Sequence, residues 1–182
     1  MPPENRNWPL ESYREYLRSL ARLRLRAFPQ GTLDPSDVVQ QALLKAQKHR
    51  QKFRSQNEPQ WRAYLRRILA STLADAIGDL PQERAIQESL DRSSARLEAW
   101  LAAEQSSPSQ KAQREELLLQ LGYALSQLTE DERTALELRY LQEPPWSLAD
   151  IAKHLNRPSA KAVAGLLSRG LERLRGLLRD HS

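Results

Sequence analysis

Enzyme chemistry needs nucleophiles, general bases or metal ligands at workable spacing, and this 182-residue sequence holds few of them. It has no Cys, which removes disulfides, thiolate catalysis, iron–sulfur clusters and most structural zinc sites. The three His residues, His49, His154 and His181, are scattered, and neither a Gly-rich phosphate loop nor a Gly-x-Ser-x-Gly elbow occurs. Asp34 and Asp37 form a carboxylate pair in a motif-like setting, and helix capping accounts for them. The expectation is therefore no enzyme, no metal, no cofactor and no small-molecule substrate. What remains is cationic: 28 Lys and Arg against 23 Asp and Glu, a net charge of +5.

That charge is unevenly placed. Residues 22–67 hold eleven basic and three acidic side chains, residues 145–182 hold seven and three, and residues 78–116 hold five and eight. Two basic segments around an acidic one suit a protein that grips nucleic acid at two places. Charged solvent faces on ordinary helices would give the same counts.

The elements that must carry these charges are helices. Gly is scarce, no stretch alternates with period two, and apolar residues recur every three or four positions. A first helix is predicted over about Pro9–Ala27, stopped by Pro29-Gln30-Gly31. A second opens at Asp34, where the carboxylate can accept free backbone N–H groups and Pro35 fits the first turn; its buried stripe is Val38 or Val39, Ala42, Leu43 and Ala46. A third runs from about Glu58 to Ile77 with Trp61, Leu65, Ile68, Leu69, Thr72 and Ala76 inward. From Gly78 to Ser109 the stripe is broken by Gly78, Pro81, Ser93-Ser94 and Ser106-Ser107-Pro108-Ser109, although Leu97, Trp100 and Leu101 support a short helix. Periodicity returns over Ala112–Leu128, and Thr129-Glu130-Asp131-Glu132 is a capping box opening a helix through Leu141. The expected fold is all-α, with two small helical domains, 1–77 and 110–182, joined by a partly helical linker, 78–109. The apolar runs are too short to cross a bilayer, no signal-peptide core stands at the N-terminus, and a cytoplasmic chain is expected.

The segment 148–167 is the most informative. Ser147 caps a short helix, Leu148–Leu155, which buries Leu148, Ile151, Ala152 and Leu155. Asn156 suits a left-handed turn, Pro158 can start the next helix, and Val163, Leu166, Leu167 and Leu171 face inward on a last helix reaching about Arg179. This is a helix-turn-helix pattern. In DNA-binding examples the first turns of the second helix enter the major groove while flanking basic groups hold phosphates. The corresponding residues are Arg157, Ser159, Lys161 and Ala162, with Arg169, Arg173 and Arg175 further along. Ser and Lys can reach base edges or phosphates, and Ala can touch a thymine methyl.

In this order the pieces resemble a bacterial RNA polymerase sigma factor of the sigma-70 family, of the compact extracytoplasmic-function (ECF) type. One anchor is Asp37-Val38-Val39-Gln40-Gln41-Ala42-Leu43-Leu44-Lys45-Ala46, with Phe53 and Trp61-Arg62-Ala63-Tyr64-Leu65-Arg66-Arg67 after it. The other runs from Leu128-Thr129-Glu130-Asp131-Glu132 through the helix-turn-helix to Arg169-Gly170-Leu171-Glu172-Arg173-Leu174-Arg175.

The resemblance implies core RNA polymerase and promoter DNA as partners, with an anti-sigma factor as an open third. It implies that Asp37, Gln40, Gln41, Leu44 and Lys45 meet the polymerase, although Asp37 also fits a purely helix-capping place. On the third helix it implies that Arg62, Arg66 and Arg67 hold phosphates while Trp61 and Tyr64 stack on unpaired bases. Two aromatics three residues apart equally suit a core, with one buried and the other exposed. The helix-turn-helix would read the upstream promoter half, and both contacts together would direct initiation and favour local melting. The third helix departs from the family by breaking at Gly78 and continuing into acid, which shortens the segment that helps read the downstream element. Rival readings are a helix-turn-helix regulator that never meets polymerase, and a helical adaptor that binds proteins.

Overall fold

The computed structural model describes residues 9–26, 33–53, 57–78, 82–104 and 111–180, and among them there is no strand. The chain forms two compact units, Met1–Ala95 and Arg96–Ser182. The all-helical expectation holds throughout the described residues.

In the first unit a 3-10 turn, Leu10–Tyr13, leads into α1, Arg14–Leu25, followed by α2, Pro35–His49, and α3, Glu58–Ile77. Local chemistry sets these ends. Asp34 is extended and accepts the Ser36 N–H at 2.7 Å with Pro35 in the first turn, and Asn57 accepts the Gln60 N–H at 3.0 Å. Gly78 stops α3 in the left-handed region at φ 76°, donating its N–H to Ala74 and Asp75, so the predicted break falls where expected. Tyr16, Leu17 and Leu20 of α1, Val38, Val39, Ala42, Leu43 and Ala46 of α2, and Leu65, Leu69 and Leu73 of α3 form the core. Both Val38 and Val39 are buried, whereas Ala76 is exposed. Four-residue steps carry the α3 stripe through Leu65, Leu69 and Leu73, so the last buried turn ends before Ala76.

Helix α4, Glu83–Glu104, is longer than the sequence suggests, and the division between the units falls inside it. Ile86, Leu90, Ser93, Ser94, Leu97 and Leu101 are buried at helical spacing. The Ser93-Ser94 pair, read as a loop signal, is interior: the Ser94 hydroxyl and the Tyr16 phenol share a hydrogen bond of 2.9 Å. A small hydroxyl residue fits a crowded interface once its one polar group has a partner.

The second unit continues with α5, Lys111–Gln127; α6, Glu130–Leu136, extended by a π-turn through Leu141; α7, Leu148–His154; and α8, Ala160–Arg179. The capping box forms as predicted, with the Glu132 N–H donating to the Thr129 hydroxyl at 3.3 Å and the Thr129 N–H to the Glu132 carboxylate at 3.1 Å. Leu118, Leu121, Leu125, Leu136, Ile151, Val163, Leu166, Leu167 and Leu174 are buried together. Leu171, expected inward, is only partly covered, and Gly170 takes the inner position. A Cβ at Gly170 would lie 3.3 Å from Leu136 Cδ1 and 3.4 Å from Glu132 Cβ, so close approach of α6 to α8 excludes a larger side chain there.

The expected stop at Pro29-Gln30-Gly31, the acidic step Asp79-Leu80-Pro81, the Ser106–Ser109 cluster and His181 lie outside the described residues. No helix among the described residues is long and apolar enough to cross a membrane.

Candidate nucleic-acid interface

The turn between α7 and α8 is built by three local devices. Ser147 caps α7 by accepting the Asp150 N–H at 3.1 Å. Asn156 takes the left-handed conformation at φ 52°, and the next residue donates its N–H to the Ala152 carbonyl at 2.8 Å. Ser159, extended at φ −161°, caps α8 by accepting the Ala162 N–H at 3.2 Å. Pro158 therefore stays in the turn instead of opening the helix as expected, because the hydroxyl cap fixes the start at Ala160.

Ile151, Ala152, Val163, Leu166 and Leu167 seal the inner side of this hairpin. Ser159, Lys161 and Arg169 are exposed, Ala162 is half-buried, and neither Lys161 nor Arg169 has an ion pair among the described residues. The other arginines have internal partners. Arg157 donates to the Asp131 carboxylate of α6 while remaining exposed. Arg173 Nη1 donates to Glu132 Oε2 at 3.0 Å, and Glu132 is the buried acid of the capping box. Arg173, also expected at DNA, is exposed, and its guanidinium bridges α6 and α8. Arg175 forks onto Glu104 at 2.7 and 3.0 Å, and that hydrogen bond holds the Glu104 carboxyl below its usual pKa.

Gly165 lies one turn after Lys161 and one before Arg169. A Cβ there would meet only Arg169 Nη1, at 3.4 Å, an ordinary contact with the end of a flexible side chain. Glycine in a helix interior costs about 1 kcal/mol relative to alanine, and unlike Gly170 this one has no packing neighbour that requires it.

Helix α3 is arranged differently. Trp61 is 3% exposed and Arg62 7% exposed, so both belong to the interior. Phe53, arriving after α2, stacks on Tyr64 at 4.1 Å and tilts against Trp61 at 5.5 Å, while Arg50 lies over the Trp61 ring at 5.9 Å. Arg66 Nε donates to Asp91 Oδ1 of α4 at 2.7 Å, and its Nη1 donates to the Tyr16 hydroxyl at 2.9 Å. Burial opposes the charge on Arg66, but Tyr16 and Asp91 outweigh it and keep the guanidinium above its ordinary pKa. Trp61, Arg62 and Arg66 are corrections to the expected base-stacking and phosphate-holding set: Trp61 and Arg62 are buried, with Phe53 against the Trp61 ring, and Arg66 is tied to Asp91 of α4 and to Tyr16. Tyr64, half-buried, and Arg67, exposed, keep an open side. Burial also pushes the Tyr64 phenol pKa up.

On α2, Asp37, Gln40, Gln41 and Leu44 share the exposed side, and Leu44 is 58% exposed, high for a leucine. Gln40 Oε1 accepts from Arg14 Nη1 at 2.8 Å, and Arg14 itself forks onto Glu11 at 2.7 and 2.8 Å. Lys45 Nζ donates to Asp75 of α3 at 2.7 Å. The acids that engage these cations, Glu11, Asp75, Asp91, Asp131 and Glu132, were not among the expected site residues. Apart from Glu132 in its capping box and Glu11, three residues before Arg14, sequence spacing carries no signal for them, since each remaining partner comes from another turn or helix.

Comparison with protein families matches residues 11–80 to Sigma-70 region 2 and residues 124–176 to Sigma-70, region 4. The chain belongs to the sigma-70 family. Factors of this family are non-enzymatic transcription initiation factors, and the two domains give the chain a role in promoter recognition with core RNA polymerase and promoter DNA as partners. Among curated proteins the chain has no match.

Proposed function

We propose that the chain is a compact sigma factor of the extracytoplasmic-function type, working in the cytoplasm, that contacts core polymerase through α2 and the upstream promoter half through α8. The observation that carries this reading is a region 2 at residues 11–80 followed, after a short connector, by a region 4 at residues 124–176. Asp37, Gln40, Gln41, Leu44 and Lys45 are the proposed polymerase contacts, and the exposed Leu44 within a polar rim supports them, as helix-on-helix interfaces use such an anchor. Ser159, Lys161, Ala162 and Arg169, with Arg157 beside them, are the proposed DNA contacts of the helix-turn-helix. Tyr64 and Arg67 are the proposed contacts of α3 with the opened strand. Two modest grips on one DNA gain avidity only when the elements they read are suitably spaced, so spacing is part of the specificity.

In-vitro transcription with core polymerase on a library of genomic fragments tests function and target together. Specific transcripts that depend on the added chain are the expected result. Asp37→Lys combined with Gln40→Ala should weaken capture of core polymerase at least about tenfold with an unchanged melting temperature. A wild-type chain that fails to retain core polymerase would turn the reading toward a DNA-binding regulator.

A further inference from the structure

We infer that Gly165 is the point where the α8 backbone itself comes against duplex DNA, closer than any side chain would permit, and that it is a specificity-determining residue of the promoter contact. The inference rests on the reading of α7 and α8 as a DNA-binding helix-turn-helix.

Among the described residues nothing requires a glycine at this position. Gly165 is mid-helix, its φ is not in the left-handed region, and among the described residues the one atom near an added Cβ, apart from the helix's own backbone, is Arg169 Nη1 at 3.4 Å. Gly170, five residues on, is the internal control: there Leu136 and Glu132 occupy the space. A residue that weakens the helix without serving its packing points to something outside the chain. Its surroundings say what that is. At 100° per residue, Lys161, Gly165, Ser168 and Arg169 lie on the side of α8 opposite Val163, Leu166, Leu167, Gly170 and Leu174. Lys161 and Arg169, one turn to either side, are exposed cations without ion pairs among the described residues. A partly exposed stretch of backbone without a Cβ, flanked by two cations of which Arg169 can swing away, fits a polyanion that advances between them, with phosphates held on both sides. It also leaves Arg169 room to lie back along the helix toward Lys161.

The test uses the full-length chain bound to core polymerase and the duplexes that this complex enriches from a random-sequence pool. Gly165→Ala should raise the melting temperature, because alanine favours the helix, yet weaken binding of the enriched duplex by about tenfold or more. Its salt dependence should stay unchanged, since no charge is removed. Gly176→Ala is the matched control: no atom of the described residues outside the helix's own backbone lies within 4 Å of its Cβ position, and it should raise stability with no loss of affinity. If Gly165→Ala binds as tightly as wild type while Lys161→Gln and Arg169→Gln lose affinity, the inference is overturned and the DNA reading stands. If the wild-type complex enriches no duplex, or the Lys161 and Arg169 variants bind unchanged, the DNA reading falls and takes this inference with it.

Discussion

On α3, three of the five side chains expected at DNA turn into the protein: Trp61 and Arg62 are buried, and Arg66 bonds to Asp91 and Tyr16. On α8, Ser159, Lys161 and Arg169 stay open, and only Arg173 closes onto a buried acid. The difference follows from how many neighbours each helix has. Helix α3 packs against α1 and α2 and is pinned to α4 through Arg66, so most of its circumference is covered. Among the described residues no element covers the Lys161–Arg169 side of α8, where Lys161, Ala164, Ser168 and Arg169 are exposed. A run of basic side chains is therefore not by itself a binding surface: where a neighbouring element supplies an acid, as for Arg66 and Arg173, the cation also ties two elements together.

The sharpest way to break this comparison is to reverse the open charges on α8. Lys161→Glu with Arg169→Glu should reduce promoter binding by the polymerase complex by on the order of a hundredfold or more, read by fluorescence anisotropy, with a melting temperature within about 2 °C of wild type. The melting temperature matters as much as the affinity, because a large drop would mean these cations stabilise the fold after all and α8 resembles α3.

On α3 the expected result is the opposite, and Arg66 and Arg67 form the matched pair. Arg66→Ala removes the donor that Asp91 and the Tyr16–Ser94 pair share, which should destabilise the chain by about 2 kcal/mol and lower the melting temperature by several degrees. Arg67→Ala should leave the melting temperature alone and slow open-complex formation, measured by permanganate footprinting of the unpaired strand. Equal melting temperatures for the two variants would place Arg66 back among the DNA contacts.

The same contrast explains what the sequence disclosed. Features fixed by near neighbours were legible: the Asp34 cap with Pro35, the Thr129–Glu132 capping box, the left-handed Asn156, the Gly78 stop, and the inward stripe of α8 apart from Gly170. Each depends on side chains within four residues of the backbone they satisfy. Features fixed across elements were not. Ser93 and Ser94 carry no mark that Tyr16, almost eighty positions earlier, completes one of them, so a continuous helix was read as broken. The Arg66–Asp91 and Arg157–Asp131 pairs are likewise invisible to helical spacing. Of the candidate site, the α2 surface and the first turns of α8 were readable because exposure there follows from periodicity. On α3 the Phe53 stack and the Arg66–Asp91 bond come from outside the helix, and periodicity does not encode them.

The smallest expected effect concerns Arg175, the α8 arginine tied to Glu104. Hydrogen bonding to Arg175 lowers the Glu104 pKa from the ordinary 4.5, outweighing the opposing effect of burial. A carboxyl whose pKa is lower folded than unfolded stabilises the fold above its unfolded pKa, and the contribution is lost as pH falls through the folded value. Glu104→Gln should therefore lower the melting temperature slightly near pH 7, and the gap from wild type should shrink as pH is taken below about 4.5. Because the pair lies at the surface and both residues are exposed, the contribution is below about 1 kcal/mol and should fade at high salt. Releasing Arg175 should also leave promoter affinity within about twofold of wild type, since the arginine lies beyond the turns of α8 that carry the open cations. A clear gain in affinity would show that Glu104 withholds a DNA contact and would extend the open face of α8 toward its C-terminal end.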